Sequence, residues 1–294
     1  MIRRITLMSF ALLLLVGSIG QAKADAPTVV SISQLLGSAA NYAVLGIGSS
    51  SAGNTAGTLN NSLVTINGNQ GVGFGGRVIN MAPSSVNGNV FQYQNGQYGG
   101  PGHLGGSLST NAALLNQNYN DAMAAARLAA SLSPTQTFGS ISSATTIHGN
   151  GGLNVINING NITNSITLNG TANDIFIINV TGTLALTGST ALGMSGGVGD
   201  ANILYNFTGS GTITTHVNNM VHGTLLAPNY DFILHSLNGR IIGGQNITLM
   251  SGAKVNGPSA PVPEPTTLFL LGTGLAGVAA KLRKRRNKKI DTEV

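Results

Sequence analysis

A short apolar phrase that ends in Asn-Gly recurs along this chain and constrains the fold more than any other feature. The phrase is found at residues 63–69, 84–91, 156–163, 166–171, 237–241 and 255–257. Its apolar parts have the length of short β-strands. In the last third, Gly223, Gly239 and Gly257 are spaced by about the length of one coil of a solenoid, and such a repeat is typical of stacked architectures.

Each Asn-Gly pair is open to two interpretations. Both residues tolerate a positive φ, so the pair suits a two-residue β-hairpin turn. Small residues also suit the corners of a β-solenoid, where the chain turns between flat faces. The regular recurrence of the short strands favours the second interpretation. The fold class that we predict is therefore mainly β, as a β-helix rather than a sandwich.

One segment breaks the β pattern. Residues 109–132 are rich in alanine and contain neither Gly nor Pro, and their apolar side chains recur at helical spacing. Ser109 or Thr110 is placed to cap the start, and Pro134 to stop the helix. The sequence predicts one long α-helix whose small side chains allow it to pack alongside a flat sheet.

The N-terminus has the three parts of a secretory signal peptide. Arg3 and Arg4 are followed by an almost wholly apolar stretch, residues 5–19, and then by the small residues Ala22 and Ala24 on either side of Lys23. This order predicts a signal peptide over residues 1–24, export by the Sec machinery and cleavage after Ala24. The alternative is an N-terminal membrane anchor.

The C-terminus combines a rigid turn, an apolar run and a cluster of positive charge. The turn is Val262, Pro263, Glu264 and Pro265, the uncharged run is residues 266–280, and the basic tail is residues 281–289. Positive charge beside a membrane segment keeps that end in the cytoplasm. The charges that would stop transfer are Lys281, Arg283, Lys284, Arg285 and Arg286. At 15 residues the run is short for a stable span, which fits a transient stop in the inner membrane better than a permanent tail anchor.

The net charge of +6 comes from these two ends. Between residues 25 and 261 the few basic side chains are balanced by aspartates, so the ectodomain has no basic surface of the kind that binds nucleic acid. We therefore predict no nucleic-acid partner. The chain has no cysteine, although an exported protein could form disulfides. Its stability must come from backbone ladders and packing.

The sequence predicts no catalytic residues, no metal site and no cofactor. The five histidines match no metal-binding spacing, and the aspartates are scattered rather than paired as glycoside hydrolysis requires. One stretch rich in Gly, Gln and Asn carries Phe91, Tyr93 and Tyr98, whose rings are candidates for contact with a glycan. A surface loop without a ligand is the simpler interpretation of that stretch.

The C-terminal segment resembles the PEP-CTERM sorting signal of Gram-negative bacteria, on the order of its Pro-Glu-Pro turn, apolar run and basic tail. The resemblance implies recognition of residues 262–265 by an exosortase-type membrane enzyme. It also implies an inner-membrane intermediate, followed by removal or retention of the tail. The mature protein would reach the outer envelope, the cell surface or an exopolysaccharide matrix of the biofilm type.

The ectodomain resembles the ice-binding-like family and the related choice-of-anchor A adhesins. The resemblance rests on the order of several phrases, among them residues 36–45, 64–73, 174–180, 202–207 and 238–244. It implies a right-handed β-helix with the long α-helix alongside, and binding rather than catalysis. Threonines that could form an ice-binding face are close together only at residues 181–183 and 212–215, which departs from the regular threonine face of ice binders in that family.

These features divide the chain into a signal peptide (1–24), a β-helical ectodomain (25–260) and a sorting signal (261–294). The expected function is that of an exported, non-enzymatic, adhesin-like or structural protein of the cell surface or extracellular matrix. The sequence does not identify the ligand, and an exopolysaccharide and an ice surface are both candidates. The first alternative is ice binding on the same fold, and the second is a polysaccharide-active β-helix enzyme.

Overall fold

A computed structural model describes residues 31–94 and 97–257 of the chain. Its helices are α1 (Ile32–Leu36) and α2 (Ala112–Ser131), with 3₁₀ turns at Gly37–Asn41 and Asp200–Asn202. The first strands in chain order, β1 to β11, are Tyr42–Gly46, Thr58–Ser62, Thr65–Asn67, Asn69–Val72, Arg77–Met81, Ser85–Val86, Val90–Gln92, Gln97–Gly99, His103–Leu104, Leu108–Thr110 and Gln136–Phe138. The remaining strands, β12 to β22, are Thr145–His148, Leu153–Ile158, Ile166–Asn169, Ile175–Val180, Leu184–Ala185, Leu192–Ser195, Ile203–Phe207, Gly211–Thr214, Val221–Ala227, Tyr230–Gly243 and Ile247–Asn256.

The described strands pair in parallel with strands of the neighbouring coil, as in a β-helix. The hairpin interpretation of Asn-Gly is wrong, because the strands on either side of a described pair, such as β3 and β4 around Asn67 and Gly68, pair in parallel with other coils rather than with each other. Gly223 pairs with Gly239, and Asn238 with Asn256, so the glycine spacing in the last third is the length of one coil. The handedness of the winding stays a prediction.

Each coil contributes to three faces. The helix face, against which α2 packs, contains β11, β13, β15, β18, β20, β21, β1, β4, β7 and β10. The asparagine face, which carries Asn67, contains β12, β14, β17, β20, β21, β22, β3, β6 and β9. The mixed face contains β16, β19, β21, β22, β2, β5 and β8. Strands β20, β21 and β22 bend across corners and belong to more than one face.

The chain does not wind from one end of the solenoid to the other. Strands β1 to β10 wind from the middle to one end, α2 carries the chain back along the helix face, and β11 to β22 wind from the other end to the middle. There β21 pairs with β1, and β22 pairs with β2 and β3. A helix of 20 residues is about 30 Å long, which suits a return along a stack of coils.

Apolar side chains at alternate strand positions fill the interior. Ile66 pairs with Val255 on one side and Val86 on the other, and all three are buried. Glycine is required where coils approach closely at a corner. Gly239 has φ of 147°, and a Cβ there would collide with the carbonyl of Gly223. The short apolar phrases and their glycines thus build the interior and the corners.

Helix α2 begins three residues later than the sequence indicated. Its N-cap is Asn111, whose Oδ1 accepts from Leu114 N at 2.9 Å, so the expectation of Ser109 or Thr110 as the cap is wrong. An asparagine accepts this bond as well as a serine does, and the pattern alone could not separate them. On the sheet below, Asn179 and Asn206 donate to the carbonyls of Ala129 and Ala126 at 2.9 and 3.0 Å.

The predicted signal peptide, cleavage site, sorting turn and basic tail lie outside the described residues. Within residues 31–94 and 97–257 we find no helix that is both long enough and apolar enough to cross a bilayer.

Candidate functional site

Two faces of the solenoid present side chains to solvent, because α2 covers the third. On the asparagine face and on the mixed face, buried side chains alternate with exposed or half-exposed ones, as in a sheet with one solvated side. A binding surface on this fold is therefore expected on one of these two faces.

The asparagine face carries a ladder of four asparagines on consecutive coils. Asn87 Nδ2 donates to Asn67 Oδ1 at 2.8 Å, and Asn67 Nδ2 donates to Asn256 Oδ1 at 2.7 Å. Asn256 Nδ2 then donates to Asn238 Oδ1 at 2.8 Å. All four are the first residue of an Asn-Gly pair, so the repeated phrase places one identical amide per coil in one row.

The ladder is a regular row of free hydrogen-bonding groups. Each inner member, Asn67 and Asn256, uses one amide hydrogen and one lone pair within the row, which leaves one of each for a ligand. Asn67, Asn87 and Asn256 are exposed, and Asn238 is half-exposed. Neighbouring strands lie about 4.8 Å apart, so the row repeats its donors and acceptors at that interval. Such a surface is complementary to a ligand with a similar repeat.

The second asparagine of the phrase has a different role. Asn69 Oδ1 accepts from Asn89 N at 3.0 Å, and Asn89 Oδ1 accepts from Ser107 N at 2.9 Å. These side chains satisfy backbone amides at the corner of the next coil, where no strand pairing is available. The Asn-Gly-Asn sequence therefore combines an exposed ladder residue, a tight corner and a structural cap.

A histidine–aspartate pair lies at one end of the ladder. His222 pairs with Asn238 on the neighbouring coil, and its Nδ1 lies 2.6 Å from Asp200 Oδ1. The two side chains are 21% and 34% exposed, so solvent reaches both. The sequence did not indicate this pair, because Asp200 and His222 are 22 residues apart and match no motif.

The mixed face does not form a continuous row of threonines. One outward row runs through Ala185, Thr214, Ile233, Thr248, Asn60, Ile79 and Gly99. Thr212 and Thr214 point outward on this face, but Thr215 is buried and its Oγ1 accepts from His235 N at 3.0 Å. Apolar and amide side chains interrupt the threonines, so the face lacks a single repeating group.

Asp174 is a structural carboxylate. It is 1% exposed, and its two oxygens accept from the amides of Gly151 and Thr171 at 2.7 Å and from the side chains of Asn154 and Thr171 at 2.9 Å. Burial raises the pKa of a carboxyl group, but these hydrogen bonds outweigh burial and hold the pKa of Asp174 well below its usual range. A carboxylate with both oxygens occupied is poorly suited to acid–base catalysis.

The described residues contain no group of three or more His, Asp or Glu side chains that could hold a metal ion. His222 and His235 lie on adjacent coils. However, His222 pairs with Asn238, and His235 lies in the corner turn before the asparagine face.

The three candidate aromatic residues take part in packing. Phe91 meets Tyr42 edge to face at 5.6 Å, and Tyr93 meets Phe74 at 5.3 Å. Tyr98 packs against the solenoid interior, and its hydroxyl accepts from Asn80 Nδ2 at 2.9 Å. Strands β7, β8 and β9 take up part of this stretch, so it is not a loop throughout. Glycan contact by these rings stays a prediction.

A groove lies beside α2. It consists of adjoining cavities of about 220 and 190 Å³ that share Met123, Pro228 and Asn229. Asn206 lines the second cavity, and its Oδ1 is buried without a hydrogen-bond partner in the described structure. Arg127 is the only ionisable side chain besides Tyr119 that lines the groove, which gives no acid–base pair.

Two family models match the chain in adjacent segments. A model described as a putative ice-binding-like adhesive domain matches residues 31–256, and a model described as the PEP-CTERM protein-sorting motif matches residues 261–286. The second match contains the predicted turn at Val262, Pro263, Glu264 and Pro265. No curated protein matches the chain.

Solved structures with a similar fold include ice-binding proteins. A glycosylated ice-binding protein from an Arctic yeast is 20% identical with a TM-score of 0.55, covering 78% of this chain and 96% of that one. An ice-binding protein from an Antarctic biological consortium is 22% identical with a TM-score of 0.53, covering 78% and 91%. A domain of Shewanella frigidimarina ice-binding protein 1 is 16% identical with a TM-score of 0.52, covering 76% and 97%. At these identities the likeness shows the fold alone.

Proposed function

The chain belongs to the family of putative ice-binding-like adhesive domains, and on that premise we propose that it is an exported, non-enzymatic, adhesin-like protein of the cell surface or extracellular matrix. The observation that carries this proposal is the junction of the adhesive domain with a sorting motif, separated by only residues 257–260. The domain supplies the binding surface, and the tail brings that surface to the cell envelope.

The asparagine face is the proposed adhesive surface. Its ladder fixes four amides at the spacing of the coils, so little side-chain entropy is lost when a ligand binds. Free amide hydrogens and oxygens are complementary to the hydroxyl groups of a repeating polysaccharide. The proposed ligand is therefore an exopolysaccharide rather than a small molecule.

The tail has the proposed role of a sorting signal. Sec export would be followed by cleavage after Ala24, at the site formed by Ala22 and Ala24, and residues 266–280 would hold the chain transiently in the inner membrane of a Gram-negative bacterium. The charges at Lys281, Arg283, Lys284, Arg285 and Arg286 would stop transfer. An exosortase-type enzyme would then recognise Val262, Pro263, Glu264 and Pro265.

Sorting is tested by localisation of the full chain and of a chain that lacks residues 263–294, in a Gram-negative host with an exosortase. We expect the full chain at the cell surface or in the matrix, and the truncated chain in the periplasm or medium. A matched substitution, Glu264→Ala, separates recognition of the turn from loss of the membrane segment. Unchanged localisation of the truncated chain would disprove the sorting role.

Adhesion is tested with Asn256→Ala, since Asn256 both donates and accepts within the ladder. We expect cells that display this variant to bind exopolysaccharide-coated surfaces more weakly. Asn60→Ala is the matched control, because Asn60 is a half-exposed asparagine on the mixed face. Equal adhesion by both variants, at equal surface levels, would show that the ladder is not the binding surface.

Ice binding is the second candidate, and the similarity to solved ice-binding proteins favours it. The ladder offers regular hydrogen-bonding groups, although the interrupted threonines of the mixed face argue against that face as an ice-binding surface. Inhibition of ice recrystallisation by the exported protein, and its loss in Asn256→Ala, would support this candidate. No inhibition by a folded protein would leave adhesion as the function.

A further inference from the structure

An apolar ridge runs along the corner at which the mixed face turns into the asparagine face. Seven large hydrophobic side chains are exposed in the described part of the chain, and five of them lie in or next to these corners. They are Val217, Met220, Met250, Leu63 and Met81, with exposed fractions of 69%, 40%, 39%, 49% and 47%. On a secreted protein, a cluster of such side chains along one corner marks an interaction surface rather than scattered exposure.

Strand register places Met250, Leu63 and Met81 on consecutive coils, whereas the coil that carries His235 separates them from Val217 and Met220. Asn61 pairs with Leu249, and Ser62 pairs with Met81, so the turns that carry Met250, Leu63 and Met81 stack on consecutive coils. Gly252 N also donates to the carbonyl of Leu63 at 2.9 Å. Val217 and Met220 lie two coils beyond Met250, on the far side of the turn that carries His235. The ridge spans about 19 Å at the spacing of neighbouring strands.

The backbone conformation of Leu63 is energetically unfavourable for a leucine. Its φ is 56°, and it is the one non-glycine residue with a positive φ among the described residues. Leucine is disfavoured in this conformation, whereas asparagine tolerates it and is abundant in this chain. The side chain is 49% exposed, so packing in the interior does not explain its choice.

The shape of the ridge favours a lipid surface over a protein partner. Five side chains in a single row are far below the roughly 800 Å² per partner that a stable protein interface buries. Methionine is flexible and polarizable, which suits contact with an irregular apolar medium. Lys254 is exposed and pairs with Thr65, two residues beyond Leu63, where it can pair with an anionic headgroup.

The sorting tail holds the ridge near a membrane, and this step rests on the proposed function. Met250 lies in the last strand, which ends at Asn256, so the tail leaves from the same coil. Residues 258–265 connect the described domain to the apolar run, and eight extended residues reach at most about 28 Å. We propose that this ridge inserts into the outer surface of the inner membrane while the tail is embedded, and so orients the domain on the bilayer before sorting.

The test uses the absence of cysteine in the chain, which allows one label per variant. Full chains with Leu63→Cys, Met81→Cys or Met250→Cys are labelled with a polarity-sensitive fluorophore and reconstituted into phosphatidylethanolamine–phosphatidylglycerol vesicles. Leu108→Cys is the matched control, because Leu108 is 45% exposed but lies away from the ridge. We expect nitroxide-bearing lipids to quench the three ridge labels and to leave the label at 108 bright.

A second experiment distinguishes membrane binding by the ridge from membrane binding by the tail. A chain that lacks residues 261–294 is floated with the same vesicles, alone and with Leu63→Asn, Met81→Gln and Met250→Gln together. We expect weak flotation that the triple variant lowers about 100-fold, since each substitution removes apolar area from the bilayer. Flotation of the truncated chain would support the ridge even if localisation disproved the sorting role.

Four results would overturn the proposal. The ridge labels could be as bright as the label at 108 in chains that float, which would leave anchoring by the tail intact. The truncated chain could fail to float. It could also float no better than the same truncated chain with the three substitutions. Finally, the truncated chain could sediment as a dimer that Met250→Gln dissociates, in which case the ridge binds a second copy of the chain.

Discussion

At the scale of single residues, buried polar side chains link parts of the chain that backbone hydrogen bonds between strands do not connect. Asp174 joins the turns at Gly151 and Thr171 through four hydrogen bonds. Arg240 has a similar role, because it links β21 to the 3₁₀ turn that precedes β1. It is 2% exposed, its Nε donates to the carbonyl of Ala40 at 2.8 Å, and burial lowers the pKa of its guanidinium to about 10. These side chains therefore contribute to stability rather than to chemistry.

We expect the stability of the protein to fall in acid, in part through Asp174. Its pKa is lower in the folded state than in the unfolded chain, where it is near 3.9, so the unfolded chain takes up the proton first as the pH falls. The contribution of Asp174 is complete above about pH 5 and is lost as the pH falls toward the folded-state pKa.

Asp174→Asn should lower the free energy of unfolding by about 1–3 kcal/mol at pH 7, because an amide cannot accept all four bonds. The difference from the native protein should shrink at pH 3. Urea denaturation at the two pH values measures both effects. Asp231→Asn is the control, since Asp231 is half-exposed and its bonds come from Asn246 alone. Equal losses for the two variants would contradict a special role for Asp174.

At the scale of elements, α2 is held close to the sheet by small side chains. Ala122, Ala125 and Ala129 are at most 1% exposed, and two of the carbonyls of α2 receive hydrogen bonds from asparagines of the sheet. A helix that approaches a sheet this closely leaves no room for larger residues.

Ala125→Leu should therefore lower the free energy of unfolding by about 1–3 kcal/mol through overpacking. Ala124→Leu is the matched control, because Ala124 is exposed on the same helix and leucine is also a good helix former. Thermal melting of the two variants, followed by circular dichroism, distinguishes packing from helix propensity. Similar melting temperatures would mean that the helix is not tightly packed.

The elements were more predictable from the sequence than their arrangement. Regular recurrence of Asn-Gly indicated the coils, and alanine periodicity indicated α2 to within three residues at its start. The ladder of Asn67, Asn87, Asn238 and Asn256 was not predicted, although all four belong to the repeated phrase. Their contact depends on which coils are neighbours, and Asn67 and Asn256 are 189 residues apart. Local patterns carry no information on that pairing.

At the scale of the whole molecule, the seam between the two parts of the chain lies in the middle of the solenoid. Strand β22 pairs with β21 on one side and with β2 and β3 on the other, so the last coil joins the early strands to the late ones. The early strands β1 to β3 and the late strands β21 and β22 cannot complete their pairing until the two parts of the chain come together. We therefore expect one cooperative unfolding transition for the described domain.

Val255→Ala tests this expectation at the seam. Val255 is 1% exposed between Leu237 and Ile66, and its truncation should lower the free energy of unfolding by about 2–3 kcal/mol. Hydrogen exchange should show equal losses of protection in β5 and β15, which lie on opposite sides of the seam, because global unfolding limits exchange in both. Val217→Ala, at a site that is 69% exposed, should change neither strand. If protection falls in β5 alone, the two parts unfold separately, and the last coil stabilises only the early strands.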